Sequence, residues 1–177
     1  MCAIEIEPTL RTSRLRLRKP RLSDAGTVAS LCNDFDLARM TAAIPYPYAL
    51  ADAEGFLRHL GKIEPLGVPT YAIEHVDQGF MGMMGFHTND AGYPELGYWL
   101  GRPFWGQGYA TEAAKCALDW AKRVWRRRFV VAGHFDDNPA SGEVLIKSGF
   151  LYTGEVKLQP SAARNCDVPV RMMVWLA

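Results

Sequence analysis

Apolar and polar positions recur with two different periods along this chain, and each switch between them predicts an element. Arg14-Leu15-Arg16-Leu17-Arg18 alternates strictly, which predicts a strand with Leu15 and Leu17 toward the core and the arginines in solvent. Ala25, Val28, Ala29, Leu31 and Cys32 then fall at helical spacing, with Ser23 or Asp24 placed to cap a helix that reaches about Asn33. Thr41 to Tyr48 holds two prolines and two tyrosines and reads as an ordered loop. From Asp52 the positions Ala53, Phe56, Leu57 and Leu60 predict a second helix ending near Gly61. Thr70 to Val76 and Phe80 to His87 read as the two strands of a hairpin around Asp77-Gln78-Gly79.

Glu95 to Leu100 combines aromatic and branched residues in a short strand that Gly101, Arg102 and Pro103 terminate. From Ala110 the period becomes helical, and Ala110, Ala113, Ala114, Ala117, Leu118, Ala121 and Trp125 form one apolar stripe. Phe129 to Phe135 reads as a buried strand. Asn138 follows as an N-cap with Pro139 at the first helical position, and Gly149 closes that helix. Leu151 to Val156 and Pro169 to Leu176 give two last strands joined by a polar loop from Gln159 to Asp167.

Between the Glu95 strand and the long helix lies Trp105-Gly106-Gln107-Gly108-Tyr109-Ala110-Thr111. The first turn of a helix carries N–H groups without intrahelical partners and the positive end of the helix dipole, so it can hold a phosphate. Gly106 and Gly108 would let a pyrophosphate approach the main chain, and Thr111 adds a hydroxyl. A plain strand-to-helix turn explains the same spacing. There is no third glycine at the dinucleotide-fold position and no Gly-Lys-Ser/Thr ending.

The 177 residues suffice for one well-buried domain. With 49% hydrophobic and 22% charged residues the chain is an ordinary globular one, and a net charge of +1 gives no global reason to expect nucleic acid or a membrane. Cys2, Cys32, Cys116 and Cys166 are far apart and suggest neither a zinc site nor a disulfide framework, so free thiols in a reducing cytosol are expected. Met1 to Glu5 lacks a basic segment followed by an apolar one, which points to a cytoplasmic protein. Met81, Met83 and Met84 read as core or pocket filling, with no metal expected. Lys122, Arg123, Arg126, Arg127 and Arg128 suit a helix C-terminus, where cations complement the dipole.

Three blocks in this order, Leu10 to Arg18, Glu95 to Ala114 and Asn138 to Phe150, resemble the GNAT superfamily of acyl-CoA-dependent N-acetyltransferases. The likeness is greatest to the branch that acetylates N-terminal amines of ribosomal proteins, with its relatives that modify small amines and antibiotics. One departure is that the Q/R-x-x-G-x-G/A signature begins here on Trp105, while Gly108 and Ala110 match its last two positions; the amine-modifying branch often shows that tryptophan. The resemblance implies one α/β (α+β) domain over residues 1–177, with a mixed, mostly antiparallel sheet of about seven strands splayed at its middle and about four helices. It further implies acetyl-CoA as co-substrate, a primary amine as acceptor, no metal, and a monomer or homodimer. The alternative is a non-catalytic module that keeps the fold and the CoA cleft to regulate or sense.

On this resemblance Tyr98, Trp99 and Leu100 offer main-chain groups to the pantetheine arm and thioester. Trp105, Gly106, Gln107, Gly108, Tyr109, Ala110 and Thr111 hold the pyrophosphate, and the Asn138 amide lies against the pantetheine. Glu95 is the candidate base that frees the amine of its proton, sharing a strand face with Gly97 and Trp99. Many relatives protonate the departing thiolate with a tyrosine whose position here is Leu145, which leaves Ser141 as the substitute donor. Tyr46, Tyr48 and Phe56 are candidates for shaping the acceptor pocket. Few carboxylates sit in the acceptor-side segment, Asp52 and Glu54, which favours a peptide or mono-amine over a polycation.

Overall fold

The computed structural model describes residues 9–63 and 69–177; the N-terminal reading of Met1 to Glu5, with Cys2, lies outside them. The described strands form one sheet of eight, β1 (Thr9–Arg11), β2 (Leu15–Arg18), β3 (Thr70–His75), β4 (Gly79–Thr88), β5 (Pro94–Leu100), β6 (Phe129–Phe135), β7 (Leu151–Ser161) and β8 (Cys166–Leu176), in the order β1-β2-β3-β4-β5-β6-β8-β7. Every neighbouring pair is antiparallel except β5 and β6. That parallel pair needs a crossover, which α4 (Tyr109–Arg123) supplies. Five helices are described in all, α1 (Ala25–Cys32), α2 (Phe35–Ala38), α3 (Leu50–Ile63), α4 and α5 (Pro139–Lys147).

Among the described residues three apolar clusters lie on the sheet: a small one of Phe135, Val168, Val170 and Met172 on β6 and β8, and two larger ones under helices. On one face the alanine stripe of α4, Ala113, Ala114, Ala117 and Ala121, is fully buried against Leu15, Leu17, Ile73, Met84 and Leu96. Small side chains let the helix axis approach the sheet closely, and Leu145 of α5 with Phe150 extends the same core. On the other face α1 and α3 enclose Val28, Cys32, Ala53 and Leu57 with Met83 and Tyr48. The three methionines are core side chains: alternation separates Met83 from Met84, and the register shift against β3 at Met81 puts it with Met84 rather than with Met83.

Two expectations are corrected here. The segment Gln159 to Asp167 is not a polar loop: β7 runs on to Ser161, β8 starts at Cys166, and only residues 162–165 turn. β7 is the last strand of the sheet, where a proline such as Pro160 is tolerated, and pairing with β8 sets its length. The short β1 pairs with β2 and brings the strand count to eight.

Arg18 is the second correction, because it is buried rather than solvated. It donates to both Asp24 oxygens at 2.9 and 2.8 Å and to Glu74 at 3.1 Å. Asp24 also accepts the Arg21 N–H at 2.8 Å, so its side chain stabilises the turn before α1 and does not cap the helix itself. Burial by itself would raise the Asp24 pKa, but the Arg18 and Arg21 hydrogen bonds outweigh it and hold the carboxyl below its ordinary value, while the Asp24 bonds raise that of Arg18.

Asp24→Ala leaves the Arg18 guanidinium short of its main partner and should cost about 3 kcal/mol in denaturant unfolding. Because the native pKa of Asp24 lies below the unfolded one, its stabilisation is complete above about pH 4 and fades as pH falls through the lowered value. The gap between wild type and Asp24→Ala should accordingly narrow in acid.

Candidate functional site

β5 and β6 pair at one register only, Glu95 with Val131, although β5 stays paired to β4 along its whole length. Past that point the two strands diverge, and the β6-facing edge of β5 loses its neighbour. A cavity of about 970 Å3 opens at the divergence. Glu95, Gly97, Tyr98 and Trp99 of β5 border it, with Gly133, His134 and Phe135 of β6 and Ser141 of α5 opposite. Its far wall comes from the α1–α3 side, where Cys32, Tyr48, Phe56 and the Thr41 to Pro45 loop face inward.

Glu95 is mostly covered, with 14% of its side chain exposed, and accepts a hydrogen bond from Asn89 Nδ2 at 3.1 Å. His87, its cross-strand partner, brings Nε2 to 4.0 Å from Glu95 and is itself largely exposed. A mostly covered carboxylate in the lining, with an exposed imidazole 4.0 Å away, can take a proton from an acceptor in the cavity. Ser141 sits in the first turn of α5, where its N–H donates to Asn138 Oδ1 at 3.2 Å; Asn138 thus caps the helix with its oxygen. Leu145 is entirely buried and faces the core.

Tyr98 crosses from β5 to α5, with its hydroxyl 2.7 Å from Ser141 Oγ and 3.2 Å from the Ser141 carbonyl. Burial pushes its pKa up to about 12, and the Ser141 bond only partly offsets that. The residues read as a main-chain ligand set are thereby distinguished. Tyr98 commits its side chain to Ser141, Trp99 packs on Phe80 at 6.0 Å between ring centroids, and the Leu100 carbonyl already accepts Trp105 Nε1–H at 2.7 Å. Burial likewise lifts Cys32 and Tyr48 to about 12, so both face the cavity uncharged. Tyr48 and Phe56 join the lining as expected; Tyr46 stays outside it, 5.4 Å from the Phe35 ring.

The loop before α4 has the shape that anion binding requires. Gly106 and Gly108 have φ of +73 and +79, and a side chain at Gly106 would meet nothing within 4 Å. The first bond of α4 runs from Glu112 N to Gly108 O, which leaves the N–H groups of Tyr109, Ala110 and Thr111 without intrahelical acceptors. Gln107 is fixed at both ends, its Nε2 donating to the Pro103 carbonyl at 3.0 Å and its own carbonyl accepting Arg14 Nη1 at 3.2 Å. The ring of Tyr109 is buried, with the Arg14 guanidinium 4.4 Å above it, so only its N–H faces the loop.

Glu112 would oppose an anion here, but it is neutralised within the fold. Arg14 Nε reaches it at 2.7 Å, and Thr12 and the Arg14 N–H also donate to it. Burial would raise the Glu112 pKa, yet these donors outweigh it and keep the carboxylate below its ordinary range. Arg14 and Glu112 were absent from the sequence-derived site because nothing local links residues 98 apart. His134 was also missed, having been read simply as part of a buried strand. Its Nδ1–H donates to the Phe135 carbonyl at 2.8 Å, so Nε2 accepts the Tyr152 hydroxyl at 2.9 Å. Among the described residues no group of three or more His, Cys, Asp or Glu is arranged to hold a metal.

Comparison with known proteins follows the same geometry. Residues 14–151 match the family described as an acetyltransferase (GNAT) domain. An N-acetyltransferase of Bacillus licheniformis, p20, described as uncharacterized, is 29% identical over 166 residues, covering 90% of this chain and 92% of that protein. RimL, a ribosomal L7/L12 alpha-N-protein acetyltransferase solved with coenzyme A, superposes with a TM-score of 0.82 at 20% identity, over 95% of this chain and 97% of its own. The microcin C7 self-immunity acetyltransferase MccE, solved with acetyl-CoA and AMP, gives 0.80 at 18% identity over 94% of each chain.

Gly97 supplies a direct check on what the cavity is for. A Cβ there would meet nothing within 4 Å, so Gly97→Val should fold with little change in melting temperature while projecting into the cavity from the sheet face of Glu95 and Trp99. Calorimetry should find coenzyme A binding weakened tenfold or more; unchanged binding would place the ligand elsewhere.

Proposed function

Because the chain belongs to the GNAT acetyltransferase family, we propose that it transfers an acetyl group from acetyl-CoA to a primary amine, by direct attack while both substrates are bound. The observation that carries this reading is the cavity at the β5–β6 divergence, whose lining includes both Glu95 and Ser141. RimL with coenzyme A and MccE with acetyl-CoA support the choice of co-substrate. The Gly106 to Thr111 turn takes the pyrophosphate, the open β5 edge takes the pantetheine arm, and Asn138 faces that arm.

In the chemical step an amine that is protonated in water must lose a proton before it can attack. Glu95 accepts it, directly or through a water molecule. The C–N bond forms, the nitrogen gives up its second proton by way of Glu95 to water, the C–S bond breaks with its electron pair left on sulfur, and Ser141 gives the sulfur a proton. No covalent enzyme intermediate is required.

The acceptor in this reading is a protein or peptide N-terminus or a small mono-amine. Of the carboxylates near the acceptor side, Glu54 pairs with Arg58 at 2.9 Å and Asp137 with Arg164 at 2.8 Å, and Asp136 is tied to Arg171. Asp52, which also accepts the Ala49 N–H at 2.8 Å, lines the cavity with Asp90 and Glu95, and these three are left to meet a cation. With one of the three serving as the base, two remain to bind charge, which suits one ammonium better than three or four.

Glu95→Gln keeps the shape and removes the base. Its turnover should fall on the order of a hundredfold at neutral pH and recover in part as pH nears the acceptor's own pKa. A wild-type rate and pH profile would take Glu95 out of the mechanism. Coenzyme A binding without thiol release from acetyl-CoA on any amine would instead favour the binding-module reading.

Offered N-terminal peptides, spermidine and an aminoglycoside at equal concentration, the protein should acetylate the peptides fastest. A preference above tenfold for either polycation would overturn the acceptor assignment.

A further inference from the structure

The geometry points to Tyr98 as a positioning residue for thiol release, acting through the hydroxyl of Ser141. The inference rests on the acetyl-transfer reading above. Leu145 is buried in the core, so no hydroxyl stands at the family's usual tyrosine position, and Ser141, one turn earlier on α5, borders the cavity instead. A different tyrosine reaches the same place from across the cavity. Tyr98 projects from β5, and its hydroxyl has two acceptors on one residue, Ser141 Oγ at 2.7 Å and the Ser141 carbonyl at 3.2 Å.

Two arrangements of the hydroxyl hydrogens satisfy those distances. In the first, Ser141 donates to Tyr98, and Tyr98 donates to the Ser141 carbonyl, closing a small ring that uses both hydrogens. In the second, Tyr98 donates to Ser141 Oγ, and the Ser141 hydrogen is free to point into the cavity. Only rotation about two C–O bonds separates them, so the first is the resting state and the second is the donor state. A sulfur acquiring negative charge in the cavity selects the donor state, because it offers the Ser141 hydrogen a stronger acceptor than a phenol oxygen.

The bond from Tyr98 also stabilises the serine oxygen as its own proton leaves, which lowers the cost of using so weak an acid. Tyr98 keeps its proton throughout, as expected of a phenol whose pKa burial lifts to about 12. The balance closes without a further reactant. The nitrogen loses two protons by way of Glu95 to solvent water, one before attack and one as the amide forms; the sulfur gains one from Ser141, water returns one to Ser141, and one proton per turnover is released to solvent. Ser141 is placed for this by its own N–H, which Asn138 Oδ1 holds at 3.2 Å.

The test uses the whole chain with acetyl-CoA and its best amine. Wild-type turnover and coenzyme A binding come first, since failure of both would reject the acetyl-transfer reading and not this one alone. Tyr98→Phe should lower kcat about tenfold while KM for acetyl-CoA and calorimetric coenzyme A affinity stay within about twofold. Ser141→Ala should fall at least as far, and adding Tyr98→Phe to it should cause no further loss, because Tyr98 then has nothing to act through. A kcat within twofold of wild type, or losses that multiply in the double variant, would overturn the proposal. Should Tyr98→Phe fail to fold, 3-fluorotyrosine in place of Tyr98 keeps ring and hydroxyl but donates more strongly. It should raise turnover in the wild-type background and leave Ser141→Ala unchanged, and an equal response in both would overturn the proposal.

Discussion

One parallel contact, Glu95 against Val131, sets the geometry on which the site depends. A sheet that is otherwise antiparallel gains a parallel step in its middle because α4 carries the chain from the end of β5 back to the start of β6. Parallel neighbours joined this way need not match in length, and here they separate after one register. Had they stayed zipped, the β5 main chain would be saturated and the cavity filled. The divergence leaves the same strand bound on its β4 side and open on its β6 side, so a rigid element presents unpaired main-chain groups without itself being mobile.

Contacts far apart in sequence then hold the two ends of this opening. At one end Arg14, from the turn before β2, joins Glu112 in α4 to the Gln107 carbonyl and covers the Tyr109 ring. The first turn of α4 therefore carries a carboxylate whose charge is already met, and its free N–H groups remain available to an anion. At the other end Arg164, in the β7–β8 turn, donates to the Arg39 carbonyl at 2.7 Å and to both Asp137 oxygens. Ala162 N–H adds a bond to the Ala42 carbonyl at 2.9 Å. The long hairpin thus fastens the acceptor-side loop to the exit of β6, one residue before Asn138, and its length is a requirement of the cavity wall.

Much of this was legible in the sequence. The strict alternation of Leu15 and Leu17, the alanine stripe of α4 and the Asn138-Pro139 start of α5 each express a local period or cap, and each element stands within a few residues of its predicted place. Gly106 and Gly108 announced a turn, and both adopt the left-handed conformation such a turn needs. Glu95 and Ser141, named from the family resemblance, both line one cavity.

What the sequence determined by itself was therefore periodic or local: which segments form helix or strand, where they start, and which residues carry chemistry. The tertiary structure decided what depends on pairing between distant segments. Arg18 reads as a solvated arginine of an alternating strand until Asp24 and Glu74 close around it. Gln159 to Asp167 reads as a polar loop until β8 pairs with it at the edge of the sheet. Tyr98 reads as one more aromatic strand residue until the divergence of β5 from β6 lets it span to Ser141. Local patterns are written in neighbouring side chains, whereas a hydrogen bond across 43 residues is fixed only when the sheet and helices are assembled.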